Sequence, residues 1–295
     1  MRVAVTGATG FVGRHLVERL LKDSHEVTIV ANRRSGAKLF SDRVKYARAS
    51  VHNAPDLQEA FSDCQAVFHL VGIIAETRKN TFKTTVEEGT KNVISACRHN
   101  NVGTIIYLSA LGTSAEAESK YFATKWAAEQ SVKNSGLNWT IFRPSIIYGR
   151  DDGFLAMMSK IIKLSPFVPI FGDGKYKLQP VYVGDLVDAM AKSLAIKECQ
   201  GETIEIGGAE PLEYVEIINS IKKALKRKRM NLFIPMAVIK PVAVLLEKML
   251  KPSPLTTDQL IMLEIGSVCD LSKMKRLFEI DPVGFDEGLK KVLEN

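Results

Sequence analysis

The chain has 295 residues, 40 Lys and Arg against 33 Asp and Glu, and a 46% hydrophobic content. That is enough apolar chain for one large folded unit or two coupled ones without disulfides, which excludes a small stapled scaffold. The formal charge of +7 is local, because Lys222, Lys223, Lys226, Arg227, Lys228 and Arg229 crowd into one run; nucleic acid, whose binders spread basic residues over a footprint, is not an expected partner.

Residues 2–6, RVAVT, have the β-rich apolar character of a buried parallel strand. They begin the chain with no basic leader, so no secretion signal is expected. After a glycine turn, residues 11–21 carry apolar side chains at helical spacing. Residues 27–30, 66–70 and 104–108 predict three more strands, with covering helices at 57–61 and 85–97. This alternation predicts an α/β fold, a Rossmann-like parallel sheet with helices on both faces. Residues 139–142 predict a further strand, which Arg143 and Pro144 close. Beyond them lie predicted helices at 153–164 and 185–195, with a turn-rich loop at 166–174. Strand-like 203–206 precedes helical patterns at 212–226, 238–250 and 257–263.

No apolar run reaches the roughly 18 residues of a credible spanning helix. The nearest, residues 232–246, is broken by Pro235, Lys240 and Pro241 and suits a surface. Cys64, Cys97, Cys199 and Cys269 form no CxxC pair, and Asp151 and Asp152 have no nearby histidine, so no metal is expected.

Gly7-Ala8-Thr9-Gly10-Phe11-Val12-Gly13 sets a GxxGxxG turn between the first strand and helix. Glycine permits the tight turn, close phosphate approach and close helix packing, and the helix N-terminal amides face a pyrophosphate. Gly7, Thr9, Gly10, Phe11, Val12 and Gly13 are therefore assigned to cofactor binding. Residues 1–150 become the main dinucleotide-binding region. Residues 151–295 become mainly a smaller C-terminal, substrate-side cap with segments returning to the core. The second strand ends Ala31-Asn32-Arg33-Arg34, without the acid that would favour the free ribose of NAD. Arg33 or Arg34, and Arg14 beside the turn, are candidates for the extra phosphate of NADP. NADP(H) is accordingly expected over NAD(H).

Tyr121 and Lys125 stand four residues apart on one face of a predicted helix. A nearby ammonium favours tyrosinate, and such a pair can manage a proton while a nicotinamide moves a hydride. Lys125 is also a candidate to hold the nicotinamide ribose. His69 reads as a structural histidine, Asp173 as a turn residue and Asp185 as a helix cap.

The glycine turn, the Tyr121/Lys125 pair, FRPSIIYG at 142–149 and QPVYVGDL at 179–186 resemble an extended or atypical short-chain dehydrogenase/reductase of the NAD-dependent epimerase/dehydratase superfamily. The resemblance runs through nearly the whole chain. HLVGII at 69–74, LSALG at 108–112 and LTTDQL at 255–260 resemble the branch containing the nucleotide-binding accessory subunit of respiratory complex I and related quinone-pathway proteins. It implies a bound nicotinamide cofactor, frequently NADPH in this branch, with Leu70, Val71 and Gly72 passing near it and Pro144 near its nicotinamide end. Two departures stand out. The customary third strand-end hydroxyl aligns with Leu111, leaving Ser109, Thr113 or Ser114 as substitutes. The customary asparagine is Val86.

Two functions follow from these residues. In one, an NADP(H)-binding oxidoreductase acts on a carbonyl or alcohol of an apolar or quinone-related substrate, with Tyr121 supplying the proton, Lys125 orienting ribose and Ser109 helping to polarise oxygen. In the other, a noncatalytic NADP(H)-binding protein stabilises a respiratory or quinone-associated assembly. The basic run followed by Phe233, Ile234, Val238 and Ile239 is expected to attach to an anionic membrane or a respiratory-complex partner. The expected location is cytoplasmic, at most peripheral to a membrane, neither secreted nor transmembrane.

Overall fold

In a computed structural model of the chain, residues 1–32 and 40–293 are described. The first strand, β1 (Arg2–Thr6), shows why its sequence is apolar throughout. Val3 and Val5 enter one core and Ala4 the opposite one, the two-residue alternation of a strand covered on both faces. After it come α1 (Phe11–Lys22), β2 (Glu26–Ala31), β3 (Val44–Arg48), α2 (Ala54–Ala60) and β4 (Ala66–His69). Then follow α3 (Gly89–His99), β5 (Thr104–Leu108), α4 (Lys120–Lys133) and β6 (Asn138–Pro144).

The next stretch holds β7 (Ile147–Tyr148), α5 (Gly153–Leu164), β8 (Phe167–Phe171), β9 (Lys177–Leu178), β10 (Val181–Tyr182) and α6 (Val183–Lys192). It continues with β11 (Glu202–Ile206), β12 (Leu212–Glu213), α7 (Tyr214–Ala224) and β13 (Met230–Ile234). The described chain closes with α8 (Met236–Met249), α9 (Thr257–Ile265), α10 (Ser272–Phe278) and α11 (Phe285–Leu293).

Seven parallel strands form the main sheet in the order β11-β6-β5-β4-β1-β2-β3. One face packs on α1, α6 and α10 through Leu16, Leu186 and Phe278, the other on α2, α3 and α4 through Leu57, Val93 and Ala128. This is the Rossmann-like sheet with helices on both faces. Its order reverses between β1 and β4, and sheets of this kind take ligands in the crevice beyond their carboxyl ends at that point. The C-terminal cap has its own core, where Met158, Ile162, Ile170, Ile218 and Leu289 meet. A smaller cluster of Ile239, Ala243 and Leu260 joins α8 to α9. Among the described residues no helix is long and apolar enough to cross a membrane.

Among the differences from the sequence expectations, three have a plain physical cause. β3 has no expected counterpart, because its residues VKYAR are half-buried or exposed at the sheet edge and lack a clear apolar pattern. Residues 166–174, expected as a loop, contain β8, which pairs in parallel with β13; a two-stranded ribbon leaves each strand an open edge, where Pro169 is tolerated. The expected helix at 85–97 is entered through a π-helical stretch, Lys83–Glu88, ahead of α3.

One ion pair fixes α4 to the sheet. Glu129, fully buried, accepts from Nε and a terminal nitrogen of Arg143 on β6 at 2.8 and 2.6 Å. That carboxylate holds the guanidinium pKa above its ordinary value, against the opposing effect of burial. Removing one partner of such a pair strands a charge in low dielectric. Glu129→Gln is therefore expected to lower unfolding stability by about 3 kcal/mol in urea denaturation; an unchanged midpoint would show that the pair does not anchor the helix.

Candidate active site

The glycine turn is tight. Gly7 has φ +75°, in the left-handed region, and its carbonyl accepts from Gly10 N–H at 3.0 Å. A Cβ on Gly13 would fall 2.2 Å from the Gly7 oxygen and 2.7 Å from the Ala8 Cα, so α1 starts too close to the turn for any side chain there. Gly10 caps α1 without a side-chain hydrogen bond, and Phe11 and Val12 open the helix. Arg14 in its first turn is engaged elsewhere: Nε donates to the Thr9 carbonyl at 3.0 Å, and a terminal nitrogen lies 3.5 Å from the Asp151 carboxylate.

A cleft of about 590 Å³ opens at this end of the sheet, lined by residues that include Gly7, Thr9, Asn32, Ser50, Val71 and Thr85. Thr85 is 4% exposed, and its hydroxyl has no hydrogen-bond partner among the described residues. Beneath the cleft, His69 is buried between two threonines, with Nδ1 2.7 Å from the Thr6 hydroxyl and Nε2 3.0 Å from the Thr90 hydroxyl. Burial, with a smaller effect from Lys125, lowers its pKa to about 3. Thr90 donates to the Val86 carbonyl, so the neutral ring is satisfied by donating from Nε2 and accepting at Nδ1. His69 is a structural histidine here.

Leu70, Val71 and Gly72 leave β4, and Gly72 comes close to Lys125. A Cβ on Gly72 would lie 3.3 Å from Lys125 Nζ, a closeness that favours bare backbone at this position. Lys125 is buried and donates to the Leu108 carbonyl at 2.7 Å. The adjacent Ser109 is buried with its hydroxyl 3.5 Å from that of Thr113, which itself donates to the Ala110 carbonyl at 2.7 Å. Pro144 ends β6 and accepts from Leu111 N–H at 2.9 Å, and the Leu111 side chain is buried.

Tyr121 is half-buried between aromatic rings, its centroid 5.9 Å from that of Phe82 and 5.6 Å from that of Phe122. Burial, followed by the Asp258 carboxylate, pushes its pKa up to about 12. Burial brings Lys125 down to about 7, partly opposed by Glu129. The raised pKa of Tyr121 follows from burial and Asp258, and Lys125, its Nζ 6.0 Å from the Tyr121 centroid, does not offset it. Asp258 and Thr85 are the contributors that the sequence reading did not assign. Asp185, expected as a helix cap, instead accepts from Val283 N–H at 2.8 Å. Asp173 accepts from Lys175 N–H at 2.9 Å within its turn.

The parallel sheet, its glycine turn and a Tyr/Lys pair at the strand ends define a dinucleotide-type site. Residues 3–207 match the NAD dependent epimerase/dehydratase family, and the chain belongs to that family. It is 28% identical over 270 residues to the mitochondrial NADH dehydrogenase (ubiquinone) 1 alpha subcomplex subunit 9 of Arabidopsis thaliana, covering 88% of this chain and 67% of that protein. It is 27% identical to the 3beta-hydroxysteroid-dehydrogenase/decarboxylase isoform 1 of Arabidopsis thaliana, over 99% of this chain and 78% of that one. UDP-glucose 4-epimerase of Thermus thermophilus superposes with a TM-score of 0.78 at 23% identity, over 100% of this chain and 98% of the other. UDP-glucuronic acid 4-epimerase of Bacillus cereus gives 0.76 at 23% identity, with the same coverage.

Both epimerase structures hold NAD, which corrects the expected preference for NADP(H) over NAD(H). Neutral Asn32 lines the cleft at the end of β2, and Arg14 is tied to Thr9 and Asp151. Arg33 and Arg34, on which the preference rested, lie outside the described residues.

Lys125 also gives a pH signature. Its folded pKa of about 7 lies below the ordinary 10.5, so between these values the unfolded chain binds more protons and stability rises with pH. Urea midpoints of the wild type are expected to increase from neutral pH toward pH ~9.5, and Lys125→Met should flatten that rise. An equal rise in both proteins would remove Lys125 as its source.

Proposed function

We propose that this chain is an NAD(H)-dependent oxidoreductase that interconverts a carbonyl and an alcohol on an apolar or quinone-related substrate. The observation that carries this reading is Tyr121, a phenol kept protonated on the same helix face as an anchored Lys125. Aromatic rings around Tyr121 suit an apolar substrate, and the relative named for a 3beta-hydroxysteroid supports that class. Residues 151–295 provide mainly the substrate side.

Two features support a fit to the cofactor. The orphaned Thr85 hydroxyl lines the cleft, and glycine at 7 and 13 permits the tight turn whose Gly7 and Thr9 line the same cleft, because a Cβ at either position would meet backbone of the turn or of the segment after β4. Gly7, Thr9, Gly10, Phe11, Val12 and Gly13 would hold the pyrophosphate side, with Leu70, Val71, Gly72, Thr85, Lys125 and Pro144 along the remainder. The nicotinamide supplies or accepts hydride when bound.

Within this reading the protein manages the proton. In reduction, Tyr121 transfers its phenolic proton to the substrate oxygen as the carbonyl carbon gains hydride. A pKa raised by burial and by Asp258 prevents that proton from being lost to solvent beforehand. Lys125, balanced near neutrality, orients ribose hydroxyls and lies on the same helix face for returning a proton. Ser109, paired with Thr113, helps to polarise the oxygen.

A second reading, a noncatalytic NAD(H)-binding protein of a respiratory assembly, is favoured by one observation: buried Leu111 occupies the position of a customary hydroxyl. The Arabidopsis NADH dehydrogenase subunit supports that alternative.

Tyr121→Phe is expected to preserve the melting temperature and NADH affinity while lowering ketone-reduction turnover on the order of 100-fold or more. Unchanged turnover would reject the acid role, and NADH binding without turnover on any apolar ketone or quinone would favour the second reading. Thr85→Val should act in opposite directions on two observables. It removes an unpaired buried hydroxyl, so stability of the free protein should hold or rise, whereas NADH affinity in a fluorescence titration should fall about fivefold. Unchanged affinity would dissociate Thr85 from the cofactor.

A further inference from the structure

The strongest unassigned feature is a one-sign, apolar face on the cap. Residues 217–246 contain seven Lys or Arg and no Asp or Glu, equal to the +7 of the whole chain. Four of the cations are committed: Lys222 donates to Asn231 and the Arg229 carbonyl, Arg229 to the carbonyls of Ile162 and Lys163, Lys223 pairs with Asp286 and Lys240 with Glu264. Lys226, Arg227 and Lys228 are exposed in the turn between α7 and β13, and none makes an ion pair among the described residues.

Apolar surface follows directly. Met230 pairs with Phe167 across the β8–β13 ribbon, and both side chains are exposed, as are Leu232 and Phe233. On α8, Ile239 and Ala243 point inward to Leu260. Val238, Val242, Leu245 and Met249, at helical spacing on another face, are between 42% and 71% exposed. A helix apolar on its solvent side as well as its core side is short of a partner. The structure also revises the attachment residues expected from sequence, because Ile239 belongs to the core side and Ile234 is half-buried.

We propose that this face docks on an anionic lipid surface. Lys226, Arg227 and Lys228 meet lipid phosphates, while Val238, Val242, Leu245 and Met249 enter the acyl boundary. Charge complementarity selects the occupant: a long stretch of one sign beside unbranched and branched aliphatic side chains matches a fluid, negatively charged, laterally uniform surface. The one acid on α8, Glu247, is engaged by Thr257, whose N–H donates to it at 2.9 Å. The inference goes beyond the carbonyl/alcohol reading and does not depend on it.

The test is sedimentation of the full chain with vesicles of phosphatidylcholine alone and of phosphatidylcholine mixed with phosphatidylglycerol, at low and raised salt. Binding is expected on the mixed vesicles, weakening with salt. K226Q/R227Q/K228Q should reduce partitioning about 100-fold, from roughly fivefold for each basic residue near an anionic surface. V238Q/L245Q/M249Q should leave a weak residue of binding that raised salt abolishes. All six positions are exposed, and an unchanged melting temperature verifies that each variant folds. Absence of binding, equal binding to both vesicle types, or binding unaffected by either triple variant would overturn the proposal. Self-association abolished by the apolar triple, without vesicle binding, would assign the face to a second copy of the chain and would also overturn it.

Discussion

The N-terminus of α4 is closed by a carboxylate from far along the chain, and the geometry of the candidate site depends on that closure. Asp258 accepts from the Ser119 hydroxyl at 2.9 Å, from Lys120 N–H at 2.7 Å and from Tyr121 N–H at 3.2 Å. Ser119 adds its own cap by accepting from Phe122 N–H at 3.2 Å. The first amides of a helix have no intrahelical acceptor, and a negative charge there also opposes the positive end of the helix dipole. Further along the same helix, Glu129 is clasped by Arg143. α4 is thus fixed near both ends, and Tyr121 and Lys125 between them inherit the position.

The same contacts set the charge states. Tyr121, Lys125 and Glu129 recur at four-residue intervals, so they lie along one side of α4. Asp258 makes ionisation of Tyr121 harder, and Glu129 makes protonation of Lys125 easier, but burial is the larger influence on each. The result is a proton-bearing phenol near a lysine that is poised near neutrality. His69 under the cleft is neutral as well, its two nitrogens occupied by threonines. Neutral groups beneath the cleft avoid the desolvation penalty that buried, unpaired charges would add.

What the sequence made legible is local. The glycine turn involves close approaches within seven consecutive residues, and the Tyr121/Lys125 pair is one helical repeat, so spacing alone identifies both. Asp258 reaches α4 across 137 to 139 positions, and no periodicity encodes such a contact. Thr85 lies in a π-helical stretch, whose wider turn breaks the 3.6-residue pattern by which a helix face is read. Arg14 shows the converse difficulty: its charge is visible in sequence, whereas the Asp151 and Thr9 partners that occupy it are not. β8, with FVPIF, looked like a loop because proline dominated its signal, and pairing with β13 decided otherwise.

The cap also supplies a short physical route from its apolar face to the phenol. α8 is joined to α9 by the Lys240–Glu264 ion pair at 2.8 Å. Glu247 on α8 accepts from Thr257 N–H at 2.9 Å, and Thr257 immediately precedes Asp258. One side chain and one peptide unit therefore separate α8 from the carboxylate that caps α4. Withdrawal of Asp258 would uncover the amides of Lys120 and Tyr121 and remove a negative charge that disfavours tyrosinate, so helix order and phenol acidity would change together. Such a route transmits a signal only if a ligand on the α8 face binds one position of that helix more tightly than another. Ile239 and Ala243 of α8 pack on Leu260 of α9, and this contact is the one through which a preference at the surface would be felt at Asp258.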